Sequence, residues 1–306
     1  MIRSLAFRVA AWLVPKVPAA LSYAIAWLGA EIAYRFVASR RRAVASNLRR
    51  VMGIDAVSGA VRSVFHTQAY NYVDLFLMPR LSPEWLADRL EITNLPSFLH
   101  ACGQGKGVII ATAHLGNFDL LVQVTKALNV PAAVLVEQLT PEALHQTVVR
   151  LRSAHGIRLI PAGPAGLREA VRMLKSGGVL AIGADRDPQG RGEPMNFFGE
   201  AARMPLGAVE LARRTGAALV PAFGLRLPGR RYRITIEPPI VPDAGTLIGV
   251  MERYIREHPE QWIVFQPVWD GNLSLRAQRS NLPTVSDDPE MATALPGLAM
   301  TTKDGR

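Results

Sequence analysis

Short apolar runs alternate along the chain with longer stretches whose pattern is typical of helices. The runs are rich in valine and isoleucine, as are strands buried on both faces of a sheet. We predict strands at Gly107–Ala113, Ala132–Val136, Ile157–Ile160, Val179–Ala184, Leu219–Phe223 and Tyr232–Ile236. We predict helices at Phe118–Leu128, Pro141–His155, Gly166–Lys175 and Pro205–Arg214. This order predicts an α/β fold with a mainly parallel central sheet flanked by helices.

The N-terminal region lacks this alternation. Val17–Tyr34 is an apolar segment of 18 residues in which Glu31 is the one charged residue. Arginines follow it at Arg35, Arg40, Arg41, Arg42, Arg49 and Arg50. The length is close to the roughly 20 residues of a membrane-spanning helix, but the glutamate and the prolines Pro15 and Pro18 weaken that interpretation. A membrane-associated helix in the headgroup layer, with its arginines against anionic lipid, fits at least as well.

Two other interpretations of this region are weaker. A secretory signal is disfavoured because Arg8 and Lys16 interrupt its apolar part and no clean cleavage site follows. A plain buried helix is a minor alternative. We therefore expect a membrane-anchoring helix in residues 1–40 and an α/β domain in residues 41–270 on the cytoplasmic side of the cytoplasmic membrane. Residues 271–306 lack apolar periodicity and are rich in Ser, Thr, Pro and Asp, so we expect a disordered tail.

The composition limits the classes of partner. The chain has 306 residues, 49% of them hydrophobic, a formal charge of +10 and a pI near 10.3. This charge favours anionic partners such as phosphate-bearing molecules or acidic lipid surfaces. Nucleic acid is not expected, because neither an aromatic-interleaved basic stripe nor a helix-turn-helix pattern occurs. The single cysteine, Cys102, excludes an intrachain disulfide and a cysteine-rich zinc site.

The stretch "GKGVIIATAHLGNFDLL" places a histidine where a predicted strand meets a predicted helix. In open parallel sheets, ligands bind beyond the carboxyl ends of strands, next to helix N-termini. His114 lies at such an end, and Asp119 in the first helical turn could hold one ring nitrogen and leave the other as a base. Alternatively, His114 bonds a backbone carbonyl and Asp119 only supports the helix. We expect Gly116 and Asn117 to turn the chain, with Asn117 capping the helix.

The sequence "ADRD" follows the strand predicted at Val179–Ala184 and therefore lies at the same edge of the sheet. Asp185 could reach His114 as well as Asp119 does, as a rival or an additional member of the relay. Arg186 could bind a phosphate or an oxyanion. The structural alternative is an internal ion pair between Asp185 and Arg186. We expect no metal, because no histidine or third carboxylate stands at ligand spacing beside these carboxylates.

Several blocks of the chain, in order, resemble one enzyme family. "HLGNFD" looks like the first acyltransferase motif of the lysophospholipid acyltransferase superfamily, in particular of its lipid A biosynthesis branch. Further blocks of that branch resemble "RRRAVASNLRRVMG", "VEQLTPEALHQTVVRLRSAHGIRLIP", "ADRDPQGRGEPMNFFGEAARMPLGAVELARRTGAALVPAF" and "EHPEQWIVFQPVW". Arg152 and Gly156 stand at matching positions of the second block. The resemblance covers roughly residues 40 to 270, and several blocks in order are far more specific than one short motif.

The resemblance implies acyl transfer from a thioester to an alcohol. A free alcohol is barely ionised at neutral pH, so a base is needed, and the resemblance gives that role to His114 without an acyl-enzyme. Asp119 would orient the ring and stabilise the imidazolium. Backbone amides at Gly116 and Asn117, or an arginine, would stabilise the oxyanion, and Arg152 would belong to the substrate-binding residues. The implied donor is acyl-coenzyme A or acyl carrier protein, with no cofactor, and the acceptor is a membrane lipid.

The block "MNFFGEAARMPLG" would then contribute to substrate binding. Phe197 and Phe198 could line the acyl tunnel or fill the core, which is the commoner fate of paired aromatic residues. Gly199 would allow close approach of the backbone, and Arg203 could contact a phosphate or remain a solvated charge. Pro205 is expected at the first position of the next helix.

Two departures from the lipid A enzymes bear on the acceptor. The motif acid is aspartate where those enzymes commonly have glutamate, and "WIVFQPVW" lacks the basic residues expected near its second tryptophan. Together with "DRDPQGRGEPMNFFGE", these features are similar to the phosphatidylinositol mannoside acyltransferases. We therefore expect the acceptor to be a sugar hydroxyl of a lipid A precursor or a phosphatidylinositol mannoside. The alternatives are acylation of a lysophospholipid and a non-enzymatic membrane-associated protein.

Overall fold

The computed structural model describes residues 2–53, 57–128, 130–187 and 190–269. The tail predicted at residues 271–306 lies outside this part of the chain. The α-helices of the described ranges are α1 (Ile2–Leu13), α2 (Ala19–Phe36), α3 (Ala38–Met52), α4 (Val57–Leu77), α5 (Pro83–Arg89), α6 (Leu95–Gly103), α7 (Phe118–Ala127), α8 (Glu142–Arg152), α9 (Pro164–Lys175), α10 (Gly207–Thr215) and α11 (Ala244–Glu257).

A mainly parallel sheet lies at the centre of the fold. The strands are β1 (Leu90–Thr93), β2 (Val108–Thr112), β3 (Ala132–Val136), β4 (Arg158–Pro161), β5 (Val179–Gly183), β6 (Glu193–Phe197), β7 (Glu200–Met204), β8 (Ala218–Leu227) and β9 (Arg231–Ile236). Seven of them form one sheet in the order β1-β9-β8-β2-β5-β3-β4, and β6 and β7 form a separate hairpin. Within the large sheet only β8 and β9 pair antiparallel. The predicted α/β fold is confirmed.

The sequence pattern located the buried strands but not the short or exposed ones, and it gave no prediction for the long helices α4 and α11. Every predicted strand occurs in the large sheet, and the one expected at Leu219–Phe223 is longer, as β8. β1 was not predicted; it is short and none of its residues is buried. β6 and β7 were also missed, because they are largely polar and pair with each other. The helix expected to start at Pro205 begins at Gly207, so the proline lies outside it.

The N-terminal helices pack on the rest of the protein. α2 lies against α4, and its buried residues include Ala30, which belongs to the main hydrophobic core. Phe7 of α1 makes an edge-on contact with Phe76 of α4, with 4.9 Å between ring centroids. Within the described ranges, none of the helices combines the length and the apolar character required to cross a bilayer. The domain boundary near residue 40 stays a prediction.

The one charged residue of the apolar segment, Glu31, faces the protein interior. Its carboxylate lies 2.5 Å from Arg62 Nε and 2.7 Å from His66 Nε2. The hydrogen bond from Arg62 is the main reason that the pKa of Glu31 falls to about 2, despite the desolvation that acts in the other direction. Glu31 is thus an ionised internal partner of α4. The outward stripe of α2 carries the exposed side chains of Leu21, Ile25, Leu28, Ile32 and Phe36.

Candidate active site

His114 follows the central strand β2 at the carboxyl edge of the sheet. All residues of β2 are buried, which explains their unbroken apolar run. The chain then turns at Gly116, where φ is +55° and an added Cβ would lie 2.2 Å from the carbonyl oxygen of Gly224. Glycine is required there on both counts. We call residues 114–117 the catalytic turn, after the role predicted for His114.

Asp185 holds the ring of His114. His114 Nδ1 lies 2.7 Å from Asp185 Oδ1, and the backbone amide of His114 donates to Oδ2 at 2.9 Å. Trp262 Nε1 donates to the same Oδ2 at 2.8 Å, and Asp185 is fully buried. Burial alone would raise the pKa of the Asp185 carboxyl, but the contacts with His114 and Trp262 outweigh it and lower the pKa. The ionised carboxylate favours a proton on Nδ1 and leaves the lone pair on Nε2.

Arg186 covers the second ring nitrogen. Its Nε donates to His114 Nε2 at 3.3 Å, and its Nη2 lies 3.6 Å from Glu137 Oε1. The alternative of an ion pair between Arg186 and Asp185 is wrong, because the arginine pairs with Glu137 and the aspartate with His114. The two neighbours in the sequence therefore contact the two ring nitrogens of one histidine.

Asp119 does not reach the histidine. Its Oδ1 lies 2.7 Å from Arg152 Nε, and its Oδ2 accepts from Arg152 Nη2 at 3.3 Å, which makes a two-point ion pair between α7 and α8. The expectation that Asp119 orients the ring of His114 is therefore wrong, since the arginine occupies both carboxylate oxygens. Asp119 and Arg152 still line the same cavity as His114, and a contact of Arg152 with substrate stays a prediction.

The backbone amides of Gly116 and Asn117 in the catalytic turn are hydrogen-bonded within the protein. Gly116 N donates to Gln261 O at 2.9 Å, and Asn117 N donates to Gly224 O at 2.6 Å. Asn117 Oδ1 accepts from Leu120 N at 3.2 Å, which confirms the predicted cap of α7. The expectation that Gly116 and Asn117 bind an oxyanion is wrong, because both amides are already bonded within the protein.

A cavity of about 650 Å³ lies beside His114, within the usual size range of small-molecule sites. Strand β3 and helices α7 and α8 supply much of its apolar lining, for example Val134, Val122 and Val148. Phe7 of α1 belongs to the wall as well. Charged side chains also line the cavity: Asp119, Glu137, Arg152, Arg186, Asp187, Arg191, Glu193 and Glu210. The cavity thus combines apolar walls with charged groups around the histidine.

Of the stretch "MNFFGEAARMPLG", Pro205, Leu206 and Gly207 line this cavity, whereas the predicted substrate-binding residues Phe197, Phe198, Gly199 and Arg203 do not. Phe197 is fully buried and stacks on Trp269 at 5.5 Å between centroids, so it fills the core. Phe198 and Gly199 form the turn between β6 and β7, with φ of +52° and +81°. Arg203 Nη1 donates to a backbone carbonyl of the preceding loop at 3.0 Å. The core interpretation is therefore confirmed for Phe197, whereas substrate binding by Phe198, Gly199 and Arg203 stays a prediction.

Sequence analysis missed Trp262 as a site residue. Trp262 donates to Asp185, and the backbone amide of the next residue, Ile263, donates to His114 O at 2.9 Å. The closing block "EHPEQWIVFQPVW" thereby joins the catalytic turn. Trp262 belongs to a block that resembles the acyltransferase family, and this was the one signal that the sequence gave. Nothing in the spacing indicated that its indole N–H donates to a carboxylate.

A family model matches residues 4–270, which is most of the 306 residues of the chain. It describes the bacterial lipid A biosynthesis acyltransferases. The chain belongs to this acyltransferase family. The predicted class of enzyme, an acyltransferase, is confirmed by this match, and the suspected resemblance is confirmed with it.

Similar proteins include mycobacterial phosphatidylinositol mannoside acyltransferases, the group to which the departures from the lipid A enzymes pointed. The phosphatidylinositol mannoside acyltransferase of Mycolicibacterium smegmatis is 27% identical over 280 residues, covering 87% of this acyltransferase and 91% of that protein. The phosphatidylinositol mannoside acyltransferases of two Mycobacterium tuberculosis strains are 27% identical over 244 residues, covering 74% of this chain and 77% of theirs. The similarity thus extends over nearly the whole described chain.

Proposed function

We propose that this acyltransferase moves a fatty acyl chain from an acyl thioester to a hydroxyl group of a membrane glycolipid, with His114 as the general base. The observation that carries the proposal is the His114–Asp185 pair beside a cavity with apolar walls. Such a site suits a reaction in which an acyl chain is held next to a hydroxyl that must lose its proton.

In the proposed reaction, the acceptor hydroxyl gives its proton to His114 Nε2 as its oxygen attacks the thioester carbonyl. Asp185 stabilises the resulting imidazolium through the proton on Nδ1. Collapse of the tetrahedral intermediate breaks the C–S bond, and the imidazolium returns the proton to the leaving thiolate. The new ester and the free thiol account for all atoms, so the reaction needs neither a cofactor nor an acyl-enzyme.

Arg186 has two roles in this mechanism: it occupies His114 Nε2 before the acceptor binds, and it is then free to stabilise the oxyanion. Its guanidinium donates to Nε2, so the incoming hydroxyl must displace it before proton transfer. Glu137, at 3.6 Å, offers the displaced guanidinium a second partner close to the site. Because the amides of the catalytic turn are bonded elsewhere, Arg186 is our candidate for stabilising the oxyanion.

The donor in this proposal is acyl-coenzyme A or acyl carrier protein, acting as a co-substrate. Both carriers are anionic, and the chain has a formal charge of +10. Arg186 and Arg191 line the cavity and supply positive charge where the thioester must enter. The apolar walls supplied by β3, α7 and α8 suit the acyl chain.

For the acceptor we propose a sugar hydroxyl of a phosphoglycolipid. The names of the mycobacterial relatives support a lipid of the phosphatidylinositol mannoside type, and the family description supports a lipid A precursor as the second candidate. A lysophospholipid stands third.

One experiment tests the reaction and the acceptor together. Purified protein is incubated with isotope-labelled acyl-coenzyme A or acyl carrier protein and with total lipid from its own host, and the lipids that gain a chain are identified by mass spectrometry. We expect label on the sugar of a phosphoglycolipid. Label only in phosphatidic acid would refute the glycolipid acceptor, whereas release of free fatty acid alone would indicate a hydrolase.

We further propose that α1 and α2 hold the enzyme on the cytoplasmic face of the cytoplasmic membrane. Both helices expose large apolar side chains: Leu5, Val9, Trp12 and Leu13 on α1, and Leu21, Ile25, Leu28, Ile32 and Phe36 on α2. On α2 these positions recur at helical spacing and form one stripe. Arg35 in the last turn of α2 and the exposed Arg42 on α3 lie near the end of the stripe in sequence and can meet anionic headgroups.

Replacing both Ile25 and Leu28 with glutamate should weaken binding to anionic phospholipid vesicles more than tenfold, because burial of each apolar side chain contributes about 2 kcal/mol. The measurement is co-sedimentation with vesicles at low and high salt. Leu167→Glu is the matched control, since Leu167 is an exposed leucine on α9. Melting temperatures check that all variants fold. Equal binding of the double variant and the control would contradict the proposed surface.

A further inference from the structure

A buried polar cluster lies behind the catalytic turn, and the proposed mechanism leaves it without a role. Its centre is Asp74 on α4, which is 3% exposed. Asp74 Oδ2 accepts from Asn117 Nδ2 at 2.7 Å and from Tyr232 Oη at 2.8 Å. Tyr23 Oη and Arg226 Nη2 also donate to this carboxylate. Four donors from separate parts of the chain therefore converge on one buried acid.

Arg226 keeps its charge in this cluster, and Tyr232 keeps its proton. Burial would lower the pKa of Arg226, but the interaction with Asp74 outweighs it and raises the pKa. Burial is also the main reason that the pKa of Tyr232 is raised, so its hydroxyl remains a donor. Replacing such buried ion pairs with apolar residues is often neutral or stabilising in proteins. Stability alone is therefore a weak explanation for this pair.

The cluster holds both backbone polar groups of Gly116. Asn71 Nδ2 donates to Gly116 O at 2.6 Å, and Asn71 Oδ1 accepts from Arg226 Nη2 at 2.7 Å. Gly116 N donates to Gln261 O. The side chain of Gln261 in turn bonds the backbone of Arg226, accepting from its N at 2.9 Å and donating to its O at 3.1 Å. The position of the catalytic turn is thus set by groups that meet at Arg226 and Asp74.

The fourth donor connects the cluster to the N-terminal helices. Tyr23 belongs to α2, whose outward stripe is the proposed membrane surface. The Tyr23 hydroxyl and the side-chain amide of Asn117 both donate to the Asp74 carboxylate, and Asn117 also caps α7. A shift in the position of α2 would therefore move the catalytic turn through the Asp74 carboxylate.

We propose that Asp74 is a positioning residue for acyl transfer: with Arg226 it fixes the catalytic turn, and through the Tyr23 hydroxyl it ties the geometry of that turn to α2. This inference rests on the proposed function of His114 as the base. Asp74 itself does not line the cavity beside the histidine, so its action is indirect, through the backbone that carries the ring.

The test removes one donor without disturbing the buried charges. Tyr23→Phe deletes only a hydroxyl, whereas Asp74→Asn would leave the Arg226 charge without its partner and is unsuitable. Tyr34→Phe is the matched control: it lies on the same helix, its ring contacts Phe65, and among the described residues its hydroxyl makes no hydrogen bond. We expect Tyr23→Phe to lower kcat about five- to tenfold, with KM for the thioester unchanged. Tyr34→Phe should keep the kcat of the unaltered protein.

A second variant cuts the chain of hydrogen bonds at its other end. Asn117→Ser retains a side-chain oxygen that can cap α7, but the shorter side chain does not reach Asp74. In protein with ¹⁵N-labelled histidine, both Tyr23→Phe and Asn117→Ser should shift the resonance of the His114 ring proton on Nδ1, and Tyr34→Phe should not. A structural role alone would lower the melting temperature without moving kcat or this resonance in the folded protein.

The outcomes separate this inference from the proposed function. Equal kcat values and equal resonances for Tyr23→Phe and Tyr34→Phe, alongside an inactive His114→Ala protein, would overturn the positioning role and spare the base. Full activity of His114→Ala would overturn the proposed function and this inference with it. A lower kcat in Tyr23→Phe with a shifted His114 resonance supports the inference even if the Asn117 variant does not fold.

Discussion

Replacing His114 with alanine is expected to lower acyl transfer by two to four orders of magnitude, the usual contribution of a general base, about 10²- to 10⁴-fold. The acceptor hydroxyl then has no nitrogen to receive its proton, while the acyl chain still binds the apolar walls. The ring is partly exposed at the cavity, with 23% of its side chain accessible, so its removal leaves the core intact. The measurement is the initial rate with labelled thioester and lipid acceptor.

His100→Ala provides the control for this variant. His100 is exposed on α6, and its side chain hydrogen-bonds that of Gln104. His100→Ala should transfer acyl chains at the rate of the unaltered protein, and the melting temperature of each variant checks that it is folded. A His114→Ala protein that retains more than about a tenth of the original rate would exclude direct base catalysis by this residue.

Asp185→Asn should have an effect of similar size, a loss of kcat of about 10³- to 10⁴-fold, as in other catalytic sites where the carboxylate behind the histidine becomes an amide. The asparagine carries one acceptor oxygen, whereas the carboxylate accepts from the His114 ring, the His114 amide and Trp262. An amide also fails to stabilise the imidazolium. The measurement is kcat and KM, with the melting temperature recorded for each variant.

Asp119→Asn is the matched comparison for this prediction. It breaks the two-point ion pair with Arg152 but leaves the contacts of His114 in place. We therefore expect a loss of about tenfold or less, expressed in KM as well as kcat, because the pair lines the cavity. A greater loss of kcat in Asp119→Asn than in Asp185→Asn would show that the motif aspartate, and not Asp185, supports the base.

The large sheet could be predicted because its strands are buried on both faces. β2, β3 and β5 lie inside the sheet, so their sequences are continuous apolar runs with clear ends. β1 and the β6–β7 hairpin gave no such signal, since they are short, partly exposed or polar. The antiparallel pairing of β9 with β8 was not predicted, because the strand predicted at Leu219–Phe223 stopped short of the three-residue turn that joins the observed strands.

The site could be predicted only in part, because its decisive contacts join distant parts of the chain. The pattern located His114 at a strand end, but Asp119 and Asp185 both follow that edge of the sheet. The nearer acid in sequence lies on a helix beside Arg152, and that arginine takes its carboxylate. The buried acid on the neighbouring strand end reaches the ring instead. Spacing alone gave no means to choose between them.

The paired phenylalanines show the same limit. Phe197 and Phe198 were open to two interpretations, and the tryptophans of the closing block decide between them by packing around Phe197. The buried cluster around Asp74 was not predicted at all. Asp74 and Arg226 lie on different elements, more than a hundred residues apart, and each alone resembles an ordinary polar position within an apolar stretch.

The central claim is direct transfer from thioester to glycolipid by a histidine base. Its most direct measurement follows a radiolabelled acyl chain from acyl-coenzyme A in acid-quenched time points, with and without purified glycolipid acceptor, and counts label in lipid, in denatured protein and in free fatty acid. We predict that label enters the glycolipid at the rate at which thioester is lost and that the protein stays unlabelled under both conditions. Label bound to the protein, or label released only as free fatty acid, would contradict direct transfer.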